Sequence, residues 1–141
     1  MTDKILERYT RSDRDNAASN TNEASEAEDL GSFGFLRGVK DRAAMLELRL
    51  KDGNSVAFDY GWLRKVEFNP SDGIVLHFGG TDTVRIIGRN LNRPNATNAQ
   101  LLRGIHAHRV PWIQEASEPD ILKATNDATV IEQIVFPTAS R

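Results

Sequence analysis

Residues 46–86 read LELRLKDGNSVAFDYGWLRKVEFNPSDGIVLHFGGTDTVRI, and this stretch decides the fold because apolar and polar residues alternate along it. Most of its large apolar side chains fall on even-numbered positions, namely Leu46, Leu48, Leu50, Val56, Phe58, Tyr60, Trp62, Val66, Phe68, Ile74, Leu76, Phe78, Val84 and Ile86. The odd-numbered positions between them are mostly polar or charged. Such alternation is typical of strands with one buried face and one solvated face. The stretch therefore predicts a sheet that is buried on one side.

Loops interrupt this stretch, but the large apolar residues stay mostly on even-numbered positions after each loop, a regularity called parity below. They divide it into five predicted strands, near residues 44–50, 55–60, 64–69, 74–78 and 83–87. The first loop predicts a three-residue turn with Gly53 in the left-handed conformation, because only that turn places Leu48 opposite Val56 on one face. The second loop, Pro70–Gly73, predicts a turn whose glycine is left-handed. The segment 60–63 has no tight-turn signal and predicts a short bend or helical turn.

Helical spacing replaces the alternation after the fifth strand. Leu101, Leu102 and Ile105 form an apolar stripe and predict a helix over residues 98–109. Residues 129–136, TVIEQIVF, are β-prone and predict an additional C-terminal strand. The predicted fold class is α+β, with a five-stranded antiparallel meander covered on one face by a C-terminal helix. The alternative is a meander that curls toward an open barrel.

Composition divides the chain into a domain and two tails. Residues 10–31 contain one large apolar side chain, Leu30, among Ser, Thr, Asn, Ala and charged residues. Such a segment buries too little surface to offset the entropy lost on ordering. We therefore predict a disordered acidic N-terminal tail over 1–31, a single α+β domain over 32–136 and a C-terminal tail over 137–141.

The absence of cysteine excludes disulfides, thiol catalysis and thiolate metal sites. No stretch approaches the roughly 20 consecutive apolar residues that a membrane-spanning helix needs. The first residues also contain no apolar run of signal-peptide length. These features predict a soluble cytoplasmic protein that does not contact membranes.

The three histidines form no recognisable catalytic or metal-binding pattern. On a helix, the rings of His106 and His108 diverge by about 200°, so the two do not chelate one metal ion. His77 is expected opposite Glu67 on the solvated face, where it forms a cross-strand polar pair. No nucleophile or phosphate-loop motif accompanies them. We predict no catalytic residue, no metal site and no cofactor, and keep an enzyme that uses His77 and Glu67 as an alternative.

The charge pattern gives the one functional hint. The net charge of −2 is no global sign of binding to polyanions, yet residues 83–114 contain no Asp or Glu. The candidate ligand-binding residues are the arginines of this window, Arg85, Arg89, Arg93, Arg103 and Arg109. Guanidinium groups bind carboxylates and phosphates through paired N–H donors. We therefore predict a non-enzymatic binding module that presents an Arg-rich surface to an anionic partner, either an acidic protein segment or nucleic acid.

A structural or oligomerising domain is the alternative to a binding module. Such a domain would associate through an exposed edge of its sheet. Its only support in the sequence is Val75 and Ile87, two apolar residues on the otherwise polar, odd-numbered face. The sequence leaves the oligomeric state open.

Overall fold

The structure, a computed structural model, describes residues 27–38, 40–95 and 98–136. Residues 1–26 of the predicted disordered tail and the predicted C-terminal tail at 137–141 lie outside these residues, so both stay predictions. Residues 28–30, which the sequence assigns to the tail, are part of the folded domain. Glu28–Asp29 forms strand β1, which pairs antiparallel with β2, Gly34–Phe35. Leu30 packs against the hydrophobic core, and its N–H donates a hydrogen bond to the Phe33 carbonyl.

All five strands predicted from the alternation are present. They are β3 (Met45–Arg49), β4 (Ser55–Asp59), β5 (Leu63–Asn69), β6 (Gly73–Phe78) and β7 (Asp82–Arg89). A 3₁₀ helix, Tyr60–Trp62, connects β4 to β5 at the predicted helical turn. Asp59 caps this helix, because its side chain accepts a hydrogen bond from the Gly61 N–H at 2.7 Å.

The register of the first hairpin agrees with the prediction from parity. Leu48 lies opposite Val56 in the β3–β4 pair, and the Leu50 N–H donates to the Asn54 carbonyl at 2.8 Å. Gly53 has φ of +96°, which is the left-handed conformation predicted for the third loop position. In the second turn Gly73 has φ of +93°, also as predicted.

The five strands do not form one continuous meander. β4, β3 and β8 (Trp112–Gln114) form a three-stranded sheet in that order, in which β8 runs parallel to β3. β5, β6, β7 and β9 (Val130–Val135) form a four-stranded antiparallel sheet, and β9 is the predicted C-terminal strand. The break falls at the 3₁₀ helix, which turns the chain before β5 can pair with β4. Neither sheet closes into a barrel, and the α+β class is confirmed.

The predicted helix over 98–109 is shorter than expected. Helix α1 spans Leu101–His106, because Asn98 and His108 adopt positive φ values of 69° and 58° that a right-handed helix does not allow. A second helix, α2, spans Glu118–Lys123. Within the described ranges, no helix is both long enough and apolar enough to cross a bilayer.

One hydrophobic core joins both sheets and α1. Its fully buried side chains include Leu46, Leu48, Ile74, Leu76, Val84, Ile86, Leu101, Ile105, Ile113 and Ile131. Val56 and Trp62 depart from the predicted even-numbered buried face, since they are 37% and 62% exposed. β4 is the outer strand of its sheet and Trp62 ends the 3₁₀ helix. No second layer of described residues therefore covers either side chain.

Candidate anion-binding recess

A recess with a volume of about 940 Å³ lies beside α1 and is lined by two of the five predicted arginines. The residues that define this α1 recess are Phe35, Gln100, Arg103, His106 and Arg109. The remaining lining residues are Pro, Asn, Gly and Ala. Among the described residues that line it, none is a carboxylate. The α1 recess therefore combines positive charge with polar groups and one aromatic ring.

The helix places its basic residues at the recess by burying its opposite side. Leu101 and Ile105 point into the core, so Arg103 and His106 face solvent. Gly104 lets the helix approach the neighbouring chain closely, since a Cβ there would lie 2.9 Å from the Phe35 ring. The recess thus depends on this glycine, although glycine in a helix interior is intrinsically unfavourable.

Arg109 is held in place by the segment that leads into the domain. Its Nη1 donates hydrogen bonds to the carbonyls of Leu36 at 2.9 Å and Gly38 at 2.8 Å. The same segment also contacts the Arg109 backbone, because the Leu36 N–H donates to the Arg109 carbonyl at 2.8 Å. Arg109 therefore contributes a positive charge from a fixed position.

Arg103 differs from Arg109 in that its side chain is exposed and has no hydrogen-bond or ion-pair partner among the described residues. Its long stem leaves the guanidinium able to reorient toward a ligand in the recess. A fixed charge and an adjustable charge thus line the same surface.

Arg89 lies elsewhere and is already neutralised. Its Nε donates to Glu132 Oε2 at 3.1 Å, and its Nη2 donates to the Ile121 carbonyl at 3.1 Å. These contacts tie β7 to β9 and α2. Arg89 therefore has a structural role, since it joins these elements.

Arg85 and Arg93 also have separate surroundings. Arg85 lines a different recess, on the solvated face of the four-stranded sheet, where its Nη1 lies 3.5 Å from the Asp72 carbonyl. Arg93 is near Asp127, since its charge contributes to lowering the pKa of that carboxyl after the larger effect of the Thr125 hydroxyl. The structure therefore brings two of the five predicted residues together at the α1 recess.

His77 and Glu67 are in contact, although in a different register from the predicted one. The turn after β5 uses residues 70–72, so Glu67 lies opposite Val75 and His77 lies opposite Lys65. His77 Nε2 reaches diagonally to Glu67 Oε1 at 2.7 Å. This hydrogen bond, followed by the charge of Lys65, lowers the pKa of the exposed Glu67 carboxyl.

The His77–Glu67 pair has the geometry of a solvated cross-strand contact. Among the described residues, no Ser or Thr hydroxyl is hydrogen-bonded to the His77 ring. The other two histidines have different surroundings: His106 is exposed at the α1 recess, while His108 stacks on the Tyr60 ring at 4.5 Å. The described part of the chain contains no group of three or more His, Asp or Glu side chains arranged for a metal ion.

The chain matches no protein-family model, no curated protein and no solved structure.

Proposed function

We propose that this protein is a small non-enzymatic binding module whose α1 recess binds an acidic segment of a partner protein. The observation that supports the proposal is the presence of Arg103, His106 and Arg109 around one concave surface that no described carboxylate lines. Carboxylate groups entering it would meet the exposed Arg103 guanidinium, and no carboxylate among the described lining residues would compete with them. We further propose the cytoplasm as the place where the module acts, since the chain contains no cysteine.

An acidic protein segment suits this recess better than nucleic acid does. A nucleic-acid strand needs a basic track along several phosphates, and exposed aromatic rings on which its bases stack. Arg85 and Arg89 lie outside the recess, and Arg89 is paired with Glu132. The Phe35 ring already has the Arg37 guanidinium over it, at 5.1 Å. One compact recess matches a few carboxylates more closely than a chain of phosphates.

The test is a titration of the full chain with a Glu/Ser peptide and with the same peptide carrying Gln in place of Glu. We expect saturable binding of the Glu peptide only, with an affinity that falls as salt rises. Arg103→Ala should weaken binding about tenfold, the equivalent of roughly 1.4 kcal/mol for one charge-assisted contact. Arg64→Ala is the matched control, because Arg64 is an exposed arginine on β5 that does not line the recess.

Three results would contradict the proposal. They are equal binding of the Glu and Gln peptides, equal losses for the Arg103 and Arg64 variants, and tighter binding of a single-stranded oligonucleotide than of the Glu peptide. The last result would favour nucleic acid as the partner.

Association of copies through a sheet edge is a second candidate. The observation in its favour is that β4 is an outer strand with a partly exposed Val56. The apolar residues Val75 and Ile87 that suggested this function are only partly accessible in the structure. A molecular mass that rises with protein concentration would support this candidate. A constant mass would contradict it and favour the binding module.

A further inference from the structure

A second recess, with a volume of about 430 Å³, is lined by acidic residues where the α1 recess is lined by basic ones. It lies where β4 meets the loop that joins β6 to β7, and its defining side chains are Phe58, Trp62, Phe78, Asp59 and Asp82. Among the described residues that line this Trp62 recess, none is Lys, Arg or His. Aromatic rings together with carboxylates are the groups that proteins use to bind organic cations.

The aromatic rings are held in fixed positions. The Trp62 indole lies against Gly79, where a Cβ would overlap the ring, and the Gly79 N–H donates to the Trp62 carbonyl at 2.7 Å. The rings of Phe58 and Phe78 stack at a centroid distance of 4.4 Å and an interplanar angle of 12°. Trp62 nevertheless stays 62% exposed. Its position is thus set by its contact with the glycine backbone, while much of its surface is open to a ligand.

The other tryptophan of the chain shows what such a ring binds in this protein. The Arg49 guanidinium lies 4.4 Å from the Trp112 ring, which is the geometry of a cation–π contact. No described Lys or Arg lies over the Trp62 ring in this way. Trp62 therefore offers the same chemistry to a cation from outside the described domain.

No described strand pairs with the outer edge of β4 beside the recess. Even-numbered residues of the β4 segment bond to β3, as the Asn54 carbonyl and the Tyr60 N–H do. In an antiparallel pair the intervening residues point their N–H and C=O groups the other way. Ser55 and Ala57 therefore present backbone donors and acceptors at the outer edge of the sheet, and Ala57 also lines the recess. An extended peptide can pair with such an edge.

We propose that the Trp62 recess and the outer edge of β4 together bind an extended basic segment of a partner protein. The segment adds as a strand beside Ser55 and Ala57 and places an Arg or Lys side chain on the Trp62 ring, close to Asp59 and Asp82. This surface shares no residue with the α1 recess and takes a ligand of opposite charge.

The experiment is an NMR titration of the full chain with a Ser/Thr-rich peptide that contains arginine at alternate positions. The matched probe has citrulline, a neutral isostere, at the same positions. We expect the arginine peptide to shift the Trp62 indole N–H and the amides of Ala57 and Gly79, and to saturate. Tetramethylammonium should shift only the indole and its neighbours, because it is a cation that cannot pair with the edge.

Three variants separate the contributions. Trp62→Ala and Asp82→Asn should each weaken binding about three- to fivefold, the size expected for an exposed cation–π contact or charge contact. Leu122→Ala is the matched control, since Leu122 is a large apolar residue that is 82% exposed and lies outside the recess. Because Asp82→Asn keeps the shape of the side chain, it retains a readout if Trp62→Ala fails to fold.

Equal binding of the arginine and citrulline peptides would overturn the proposal. So would shifts confined to residues outside the Trp62 recess, or an Asp82→Asn variant that binds as well as the unaltered chain. Binding of tetramethylammonium as tightly as of the arginine peptide would overturn the strand-pairing part and leave a site for small cations.

Discussion

Ile134 and Glu115 are joined by a hydrogen bond in which the Ile134 N–H donates to Glu115 Oε2 at 2.8 Å. The other oxygen of this carboxylate, Oε1, accepts from the Lys51 N–H, also at 2.8 Å. Glu115 is 8% exposed. Because Ile134 lies on β9 and Lys51 follows β3, one buried side chain ties the four-stranded sheet to the three-stranded sheet.

Glu115→Gln should therefore destabilise the fold although it preserves the size of the side chain. An amide supplies one acceptor oxygen where two backbone N–H donors need one each, so one donor loses its partner. A buried N–H left without an acceptor costs roughly 1–3 kcal/mol, and the lost bonds are charge-assisted. Urea denaturation of the two proteins measures the difference in the free energy of unfolding.

The control for this prediction is Glu118→Gln, because Glu118 is exposed at the start of α2. Its effect should stay within about 0.5 kcal/mol, as is usual for surface positions. Similar losses for both variants would show that Glu115 does not join the sheets.

Tyr60 gives a prediction for alkaline pH. Its hydroxyl donates to the Val110 carbonyl at 2.7 Å, and burial raises its pKa well above the usual value of 10. Because the folded-state pKa is raised, the stabilisation is complete below pH 10 and is lost as the pH rises through the folded-state pKa. We expect Tyr60 to ionise only when the chain unfolds, as followed by absorbance of tyrosinate.

Tyr60→Phe tests the same hydrogen bond directly. It should cost about 1–2 kcal/mol, since the Val110 carbonyl keeps its buried position without a donor. The variant should also lose the cooperative alkaline transition that Tyr60 causes. A normal titration of Tyr60 in the folded protein would be incompatible with its burial.

Parity predicts strands well because it is a local property of the chain. Side chains alternate within each strand whatever its partner is, so β3 to β7 and the register at Gly53 follow from residues that are close in sequence. The division into two sheets depends on a contact of distant segments, the parallel pairing of β3 with β8, which no local pattern specifies. For the same reason parity does not reveal that Val56 lies on an outer strand.

The candidate site was predictable only in part, because charge partners come from distant segments. The acid-free window selected Arg103 and Arg109, which do share the α1 recess. It also selected Arg89, whose partner Glu132 lies 43 residues away in sequence. A window of sequence shows which charges lack local partners, whereas the fold supplies partners that the window does not contain.

Glu67 gives a prediction for acidic pH. The His77 hydrogen bond is the largest cause of its lowered pKa, with Lys65 next. A lowered carboxyl pKa stabilises the fold above the unfolded-state value of 4.5, and this stabilisation is lost as the pH falls through the folded-state pKa. We expect His77→Ala to raise the pKa of Glu67 toward 4.5, as measured by NMR titration of the carboxyl carbon.

The control for Glu67 is His106→Ala, because His106 lies at the α1 recess and does not contact this carboxylate. It should leave the pKa of Glu67 unchanged. If both histidine variants gave the same titration as the unaltered chain, the 2.7 Å contact would not exist in solution.

Leu48 and Val56 are cross-strand neighbours. Both occupy even-numbered positions, so the alternation predicts that both side chains are buried, but they differ in exposure in the structure. Leu48 is fully buried, so Leu48→Ala should cost about 2–5 kcal/mol through the cavity that it leaves. Val56 lies on the outer strand and is 37% exposed, so Val56→Ala should cost less than about 1 kcal/mol. Denaturation of both variants gives the two free energies. A comparable loss at Val56 would mean that another chain or segment covers the edge of β4 in solution, and the surface proposed for a basic partner would then already be occupied.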